Sequence, residues 1–393
     1  MEKFVFAINI GSSTIKFELF RVGSNEPESL LRGNIGGIGQ HKGVFKVWRK
    51  DVQSANDENV VFDNHAEALT FLNEWLKKNL LEPVDCICHR IVHGGPEHYK
   101  PTVITPVLIE SLRSYISFAP EHLPNSLLAI ESISQLYPEV TQLACFDTAF
   151  HWNMPKVAKN IALPKSVTRG SIRKYGFHGL SYEYIYAKLE CQYPDIRQKR
   201  IVIAHLGSGA SMVAITSGEG QDTSMGFTPA GGFMMGSRTG DMDPGVLIYL
   251  LGQMNYSAQQ LNELVNHQSG LKGVSGISGD MQVLLQRQAT DIHAKEAIEL
   301  FCYQAKKQLG ALIAVLGGLD ILVFTGGIGE KAPLIRNLIC NNMEFAGVLI
   351  GEQLNNENEA IISTAGATVT IHVMATSEER MMAEHAIKLI SKK

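Results

Sequence analysis

Five short segments of this 393-residue sequence set charged or imidazole side chains beside glycine or at the end of an apolar run: HRIVHGG (89–95), APEH (119–122), FDT (146–148), YGFHG (175–179) and MGSRTGD (235–241). Each alone has an ordinary structural explanation. A buried histidine is most often a satisfied core donor, an arginine a surface cation and a strand-ending aspartate a cap. Several such groups at element ends are what an α/β protein keeps at a site. The chemistry that fits them is phosphoryl transfer. Its transition state spreads negative charge over three oxygens and asks for placed donors and cations rather than a strong nucleophile. Arg90 and Arg238 can clamp those oxygens, His178 can donate a further hydrogen bond, and Asp147 and Glu378 are candidate carboxylates for magnesium. These residues point to a nucleotide-dependent phosphotransferase and name no acceptor.

A polyphosphate also needs backbone N–H groups that can approach it, which glycine turns supply. The chain opens with an alternating strand (Phe4, Phe6, Ile8, Ile10), a polar turn GSST (11–14) and a second alternating strand (Ile15, Phe17, Leu19). The stretch HLGSGAS (205–211), between IVIA and MVAI, repeats that plan. Aligning Gly11 with Gly207 gives an offset of 207 − 11 = 196, about half the chain, and pairs Asn9 with His205, Ser12 with Ser208 and Lys16 with Met212. One motif at one register in both halves predicts two copies of a single α/β unit. A third glycine element, TGGIGE (325–330), follows the buried run DILVF and precedes a helical run from Ala332 to Cys340. Strand, glycine turn and helix start make an anion platform, although a tight turn requiring positive φ reads the same way.

The elements that would hold these turns alternate between strand and helix, which predicts an α/β fold. Asn64 and Glu67 form a capping box before Leu69, Leu72, Leu76 and Leu80. Asp243-Pro244 opens another helix, and Thr376 with Glu379 frames a last one whose stripe is Met382, Ala386, Leu389 and Ile390. The polar patches Asn56–Asn59 and Asn355–Glu359 read as surface turns. A length of 393 residues predicts two domains, and 45% hydrophobic with 19% charged residues is the composition of a soluble globular protein. With 35 basic and 39 acidic residues there is no electrostatic case for a nucleic acid or an anionic membrane as partner. No secretory signal opens the sequence, and the longest apolar stretch, Gly310–Leu319, is too short to span a bilayer. The six scattered cysteines form no CxxC pair and read as reduced core residues of a cytoplasmic protein. No GxxxxGK[ST], no GxGxxG after the first strand, no GxSxG and no HExxH occurs, which weighs against a Walker-type ATPase, a Rossmann dehydrogenase, an α/β-hydrolase and a zincin.

The segments NIGSSTIKF, HRIVHGG, FDTAFH, YGFHGLSY, HLGSGAS, GSRTGDMDPG, FTGGIGE and TSEER, in that order from residue 9 to residue 380, resemble those of the acetate kinase family, the acetate and propionate kinases. The resemblance covers nearly the whole chain. It implies duplicated α/β domains of the actin-like, ribonuclease H-like type, with the active site in the cleft between them. The expected division is 1–148, joined by a C-terminal helix 379–393, and a nucleotide-binding domain 149–378. It also implies a cytoplasmic homodimer that transfers phosphoryl reversibly between ATP/ADP and a short-chain carboxylate, with Mg²⁺ as cofactor and Mn²⁺ able to substitute. Residue by residue, Asn9 and Glu378 match positions at the metal and phosphates, and Ser12, Thr14 and Lys16 the first phosphate turn. Arg90 and Arg238 match the transition-state arginines, His178 the histidine on the transferring phosphoryl, His122 a supporting histidine and Asp147 the carboxylate beside the substrate. His205, Gly207, Ser208 and Gly209 match the second phosphate loop. Asp280, Met281 and Gln282, with Gly326, Gly327, Ile328 and Gly329, match the nucleotide pocket, and Val92, His93 and Pro229 are candidate walls for the carboxylate.

Three positions depart from the family's pattern. Ser208 stands where asparagine is usual, Gln282 where an arginine would supply a planar cation, and Leu123 where a polar residue follows His122. None touches Arg90, Asp147, His178 or Arg238; they bear on the nucleotide or phosphoryl donor. A propionate or butyrate kinase differs only in pocket size, where one methylene is worth about 1–3 kcal/mol. An actin- or Hsp70-like ATPase would explain the glycine turns and leave HRIVHGG and Arg238 without a role. An inactive binding module would be favoured by loss of Asp147 or either arginine, and all three are present.

Overall fold

The structure, a computed structural model, describes residues 2–23, 26–50, 55–80 and 82–390. The chain divides into two compact units, Met1–Ala149 with Ser377–Lys393, and Phe150–Thr376. In the first unit lie β1 (Lys3–Ile10), β2 (Thr14–Val22), β3 (Glu28–Gly36), β4 (Gly43–Arg49), β5 (Ala55–Val60), β6 (Cys86–Ile91), β7 (Thr102–Val103) and β8 (Thr141–Phe146). They form one sheet in the order β5-β4-β3-β2-β1-β6-β8-β7. The second unit carries β9 (Ile201–Leu206), β10 (Ala210–Thr216), β11 (Glu219–Thr223), β12 (Ile321–Thr325) and β13 (Thr370–Val373), in the order β11-β10-β9-β12-β13.

The two sheets repeat one plan. The series β3-β2-β1-β6-β8 and the series β11-β10-β9-β12-β13 both run antiparallel, antiparallel, parallel, parallel. Registers agree as well: Val5 pairs with Cys86 and Ile201 with Ile321, so the 196-residue offset of the glycine turns carries into the strands behind them.

Both faces of the central strands are covered, which is why β1 is apolar along its length and not simply alternating. Phe6, Ile8, Ile15, Phe17 and Ile87 pack with Leu69, Leu72 and Leu76 of the helix His65–Asn79 and with Ile133 of the helix Leu123–Leu136. The opposite face, through Cys88, meets Met382 of the helix Glu378–Ile390. In the second unit Ile201, Ile203, Val213, Ile215, Ile321 and Val323 pack with Tyr182, Ile185 and Leu189 of the helix Gly179–Gln192. The 25-residue helix Ile292–Leu316 packs on β9, β10 and β11, capped by Asp291 and ended by left-handed Gly317.

Several sequence expectations change at the level of elements. Asn56–Asn59 lies in β5, paired with β4, and is not a turn. Asn355 is fully buried, because its side chain answers the buried guanidinium of Arg336 at 2.7 Å. The last helix is capped by Ser377, whose Oγ accepts from the Arg380 N–H at 3.3 Å; the hydroxyl of Thr376 pairs instead with Ser181. Leu389 is half-buried, and residues 391–393 of the expected helix lie outside the described residues. Segment 326–331 is a short helix, with only Gly326 at positive φ. Cys191 is exposed; the other five cysteines are buried and all six are free thiols.

Candidate active site

In the first unit the candidate residues stand at the C-terminal ends of three neighbouring parallel strands, where open α/β sheets place their ligands. Asn9 is the penultimate residue of β1, Arg90 that of β6, and Asp147 follows β8 directly. Register sets them side by side: Arg90 pairs with Cys145, and the Asp147 N–H continues the ladder to Ile91 O at 3.0 Å. The Arg90 guanidinium donates from Nε to both Asp147 oxygens at 3.1 Å, from one terminal nitrogen to Asp147 Oδ2 at 2.5 Å, and from the other to Asn9 Oδ1 at 3.0 Å. Three of its five N–H groups are thereby engaged and two are left for a ligand.

A second layer of acid surrounds that cation. Asn9 Nδ2 donates to Glu378 Oε2 at 3.1 Å and to Glu379 Oε1 at 3.0 Å, and Glu378 lies 3.4 Å from Arg90 Nε. Asp147 is fully buried, and the side chain of Arg90 is 14% exposed. Burial opposes the arginine's charge, but Asp147, then Glu378 and Glu379, outweigh it and hold its pKa above the ordinary value. Lys16 faces Asn9 across the β1–β2 ladder and is exposed. Ser12 is exposed too, in the turn closed by Gly11 N–H to Thr14 O at 2.8 Å. His65, which sequence reasoning passed over, braces that turn with Nε2 2.9 Å from Gly11 O.

Val92 and His93 are buried behind the strand ends. Gly95 donates to His93 Nδ1 at 2.8 Å, and the imidazole meets Phe118 edge to face. Gly94 N–H reaches Thr148 Oγ1 at 3.3 Å, tying the HGG turn to the Asp147 strand end. His122 is the N-terminal flank of the helix Leu123–Leu136, and its neighbour Leu123 packs with Ile91 and Phe146. That places the helix start by the ends of β6 and β8 and makes Leu123 a core residue.

In the second unit the loop Gly207–Gly209 is the gathering point. A Cβ on Gly209 would come 3.3 Å from His178 Nε2 and 3.6 Å from a terminal nitrogen of Arg238. Gly236 N–H donates to Ser208 O at 3.0 Å, and the chain at Gly236 lies against Gly279, next to Asp280. Asp280 caps the helix Met281–Arg287 through the Gln282 N–H at 2.9 Å; Met281 is buried and Gln282 exposed. Gly326 abuts Leu206 O, and a Cβ on Gly327 would enter open space. Ile328 and Gly329 continue that short helix, with the Gly329 carbonyl accepting from Arg336 at 2.7 Å. Arg238 donates to Pro229 O at 3.2 Å, so Pro229 holds the arginine by its backbone.

His178 sits in the left-handed region at φ 59° and opens the helix Gly179–Gln192. Its ring stacks on His205 with centroids 4.3 Å apart, and its Nδ1 lies 2.8 Å from Ser211 Oγ, which also meets the Tyr182 hydroxyl. His205 Nδ1 is 2.8 Å from Ser181 Oγ. Ser181, Tyr182 and Ser211 all lie inside the motifs YGFHGLSY and HLGSGAS, yet neutral hydroxyls there read as filler.

Three comparisons bear on this arrangement. The pattern of the acetokinase family matches residues 4–384. An acetate kinase of Rhodopseudomonas palustris (strain TIE-1) is 42% identical over 99% of each chain. The crystal structure of Porphyromonas gingivalis acetate kinase superposes with a TM-score of 0.86 at 34% identity, covering 99% of this chain and 100% of that one. A propionate kinase from Francisella tularensis gives 0.89 at 33% identity over 98% of both.

Proposed function

The chain belongs to the acetokinase family, and from that premise we propose that it transfers the terminal phosphoryl group of ATP reversibly to acetate, giving acetyl phosphate and ADP. The observation that carries this reading is the Arg90 guanidinium, anchored on Asp147 and Asn9 with two N–H groups to spare. Such a fork binds a carboxylate or phosphoryl oxygen in fixed geometry, and its anchorage means no reorganisation is needed as charge develops. Within the second unit Arg238 and His178, both at Gly209, set a cation and a donor beside one glycine loop. In this division residues 1–149 with the returning segment 377–393 hold the carboxylate, and 150–376 hold the nucleotide.

Magnesium fits the acid cluster. Three carboxylates, Asp147, Glu378 and Glu379, surround one guanidinium, a surplus of two negative charges. Among the described residues no three His, Cys, Asp or Glu side chains converge into a closed metal site. Mg²⁺ rarely needs one, since it takes one or two carboxylates and completes its shell with water and phosphate oxygens. Glu378 would hold it; Asn9, with Oδ1 given to Arg90, orients Glu378 through Nδ2. Bound there, Mg²⁺ or Mn²⁺ neutralises phosphate charge.

A homodimer is supported by the helix Pro244–Gly252, PGVLIYLLG, which has no buried residue in the isolated chain. Among the described residues no helix is long and apolar enough to cross a membrane. A cytoplasmic setting agrees with six free thiols. Trapping acyl phosphate as hydroxamate from acetate, propionate and butyrate, each with ATP, GTP and pyrophosphate, tests the reading. Acetate with ATP should turn over fastest. The structural likeness to a propionate kinase makes preference for propionate the main competing outcome, and no acyl phosphate from any acid would end the proposal.

A further inference from the structure

The two stacked imidazoles of the second unit share one plan. His178 Nδ1 is 2.8 Å from Ser211 Oγ and His205 Nδ1 is 2.8 Å from Ser181 Oγ. Both Nε2 atoms face the glycine loop: a Cβ on Gly209 would lie 3.3 Å from that of His178, and one on Gly207 would lie 3.7 Å from that of His205. Ser211, Ser181 and Tyr182 are fully buried, so their hydroxyls must find hydrogen-bond partners within the fold.

We propose that Tyr182 and Ser211 are positioning residues that hold His178 neutral with its proton on Nε2. The Tyr182 hydroxyl donates to Ser211 Oγ, Ser211 donates to His178 Nδ1, and the proton left on Nε2 points at the loop. The opposite polarity would run from Nδ1–H through Ser211 to the phenol oxygen and turn the Nε2 lone pair towards the loop. An anionic phosphoryl group repels a lone pair and accepts from an N–H, and a phenol is a better donor than an alcohol. Stacking adds a second constraint. With centroids 4.3 Å apart, two imidazolium rings would repel, so the pair is kept from being doubly charged. Ser181, shared between His205 and the Thr376 hydroxyl at 2.9 Å, does for His205 what Ser211 does for His178. The inference rests on the phosphoryl-transfer reading for its choice of polarity.

The test reads the tautomer directly. Ring ¹⁵N spectra of the histidine-labelled full chain, assigned with His178→Gln, should show His178 in the Nε2–H form. Ser211→Ala should move that signal towards a tautomer mixture and lower kcat at least about tenfold. KM for ATP and for the carboxylate should change less than about twofold, because ground-state contacts are retained. Ser211→Thr, which keeps the hydroxyl, should recover both the spectrum and most of the rate; Tyr182→Phe should give a smaller shift in the same direction. An Nδ1–H form in the unsubstituted protein overturns the proposal. So does a Ser211→Ala variant that keeps both the tautomer and the rate, or a Ser211→Thr variant no better than alanine with the fold intact by circular dichroism. Failure of the functional reading looks different: unsubstituted protein would form no acyl phosphate, whatever its spectrum.

Discussion

Arg90 and Asp147 are legible in the sequence because charge at the end of an apolar strand is conspicuous; what the sequence withheld is how tightly each depends on the other. Asp147 is fully buried, so removing its partner leaves an uncompensated charge, which costs about 3–5 kcal/mol. Arg90→Ala therefore confounds rate with stability. Arg90→Lys is the cleaner probe, since it keeps the cation and removes the fork. We expect kcat to fall about 100-fold or more with little change in melting temperature, whereas alanine lowers both. Assay and thermal melts on the pair decide it, and a lysine variant with near-normal kcat would show that charge alone suffices. Glu379 stayed illegible because its partner Asn9 is 370 residues away and only folding joins them, whereas Ser211 and Tyr182 were passed over as neutral hydroxyls inside motifs that were read.

At the scale of elements the glycine turns were readable and their strand context more so: the 196-residue offset anticipated two sheets of one plan. Which glycines tolerate a side chain was not readable, since that depends on neighbours across the fold. Gly326, at φ +77°, would put a Cβ 2.7 Å from Leu206 O, so Gly326→Ala should cost more than about 1 kcal/mol in urea unfolding. Gly209 has no positive φ, and its Cβ would only press His178 Nε2 at 3.3 Å, so Gly209→Ala should lower kcat while the unfolding midpoint barely moves. Equal loss of stability in both would contradict that division. The strands also bury histidines, and this sets a pH dependence. Burial lowers the pKa of His89, against its bond to Gln142, to about 4, and that of His151, against its bond to Phe177 O, to about 4 as well. Unfolded, each takes its proton near 6.5. The unfolded chain then binds more protons between pH 6.5 and 4, so stability falls as pH drops through that window, by roughly 3 kcal/mol per histidine. His89→Gln, which can still donate to Gln142, should flatten the urea-midpoint curve between pH 6.5 and 4; an unchanged slope would remove His89 from the account.

For the molecule as a whole, length alone predicts two domains, and the returning helix was visible as an apolar stripe, but its cap and the face it covers were not. Neither was one exposed apolar surface of the second unit. The helix Pro244–Gly252 carries Val246, Ile248, Tyr249 and Leu251, all exposed, with Met254 just beyond it. Propensity and periodicity see only a helix there, because an apolar run looks the same whether its partner is its own core or another chain. In water such a surface is covered at a gain of about 25 cal/mol per Å² of apolar area, which is the argument for a second copy. Each chain has a mass of 43.2 kDa, so sedimentation equilibrium of the unsubstituted protein should return about twice that. Ile248→Asp, whose side chain is 69% exposed in the single chain, should leave the protomer fold untouched and shift the mass towards the monomer. Because the substituted side chain is exposed on a helix with no buried residue, any fall in kcat that accompanies dissociation would measure what the partner contributes to the protomer. A monomeric unsubstituted protein at micromolar concentration, or an Ile248→Asp variant that stays dimeric, would place the interface elsewhere and leave this helix to some other partner.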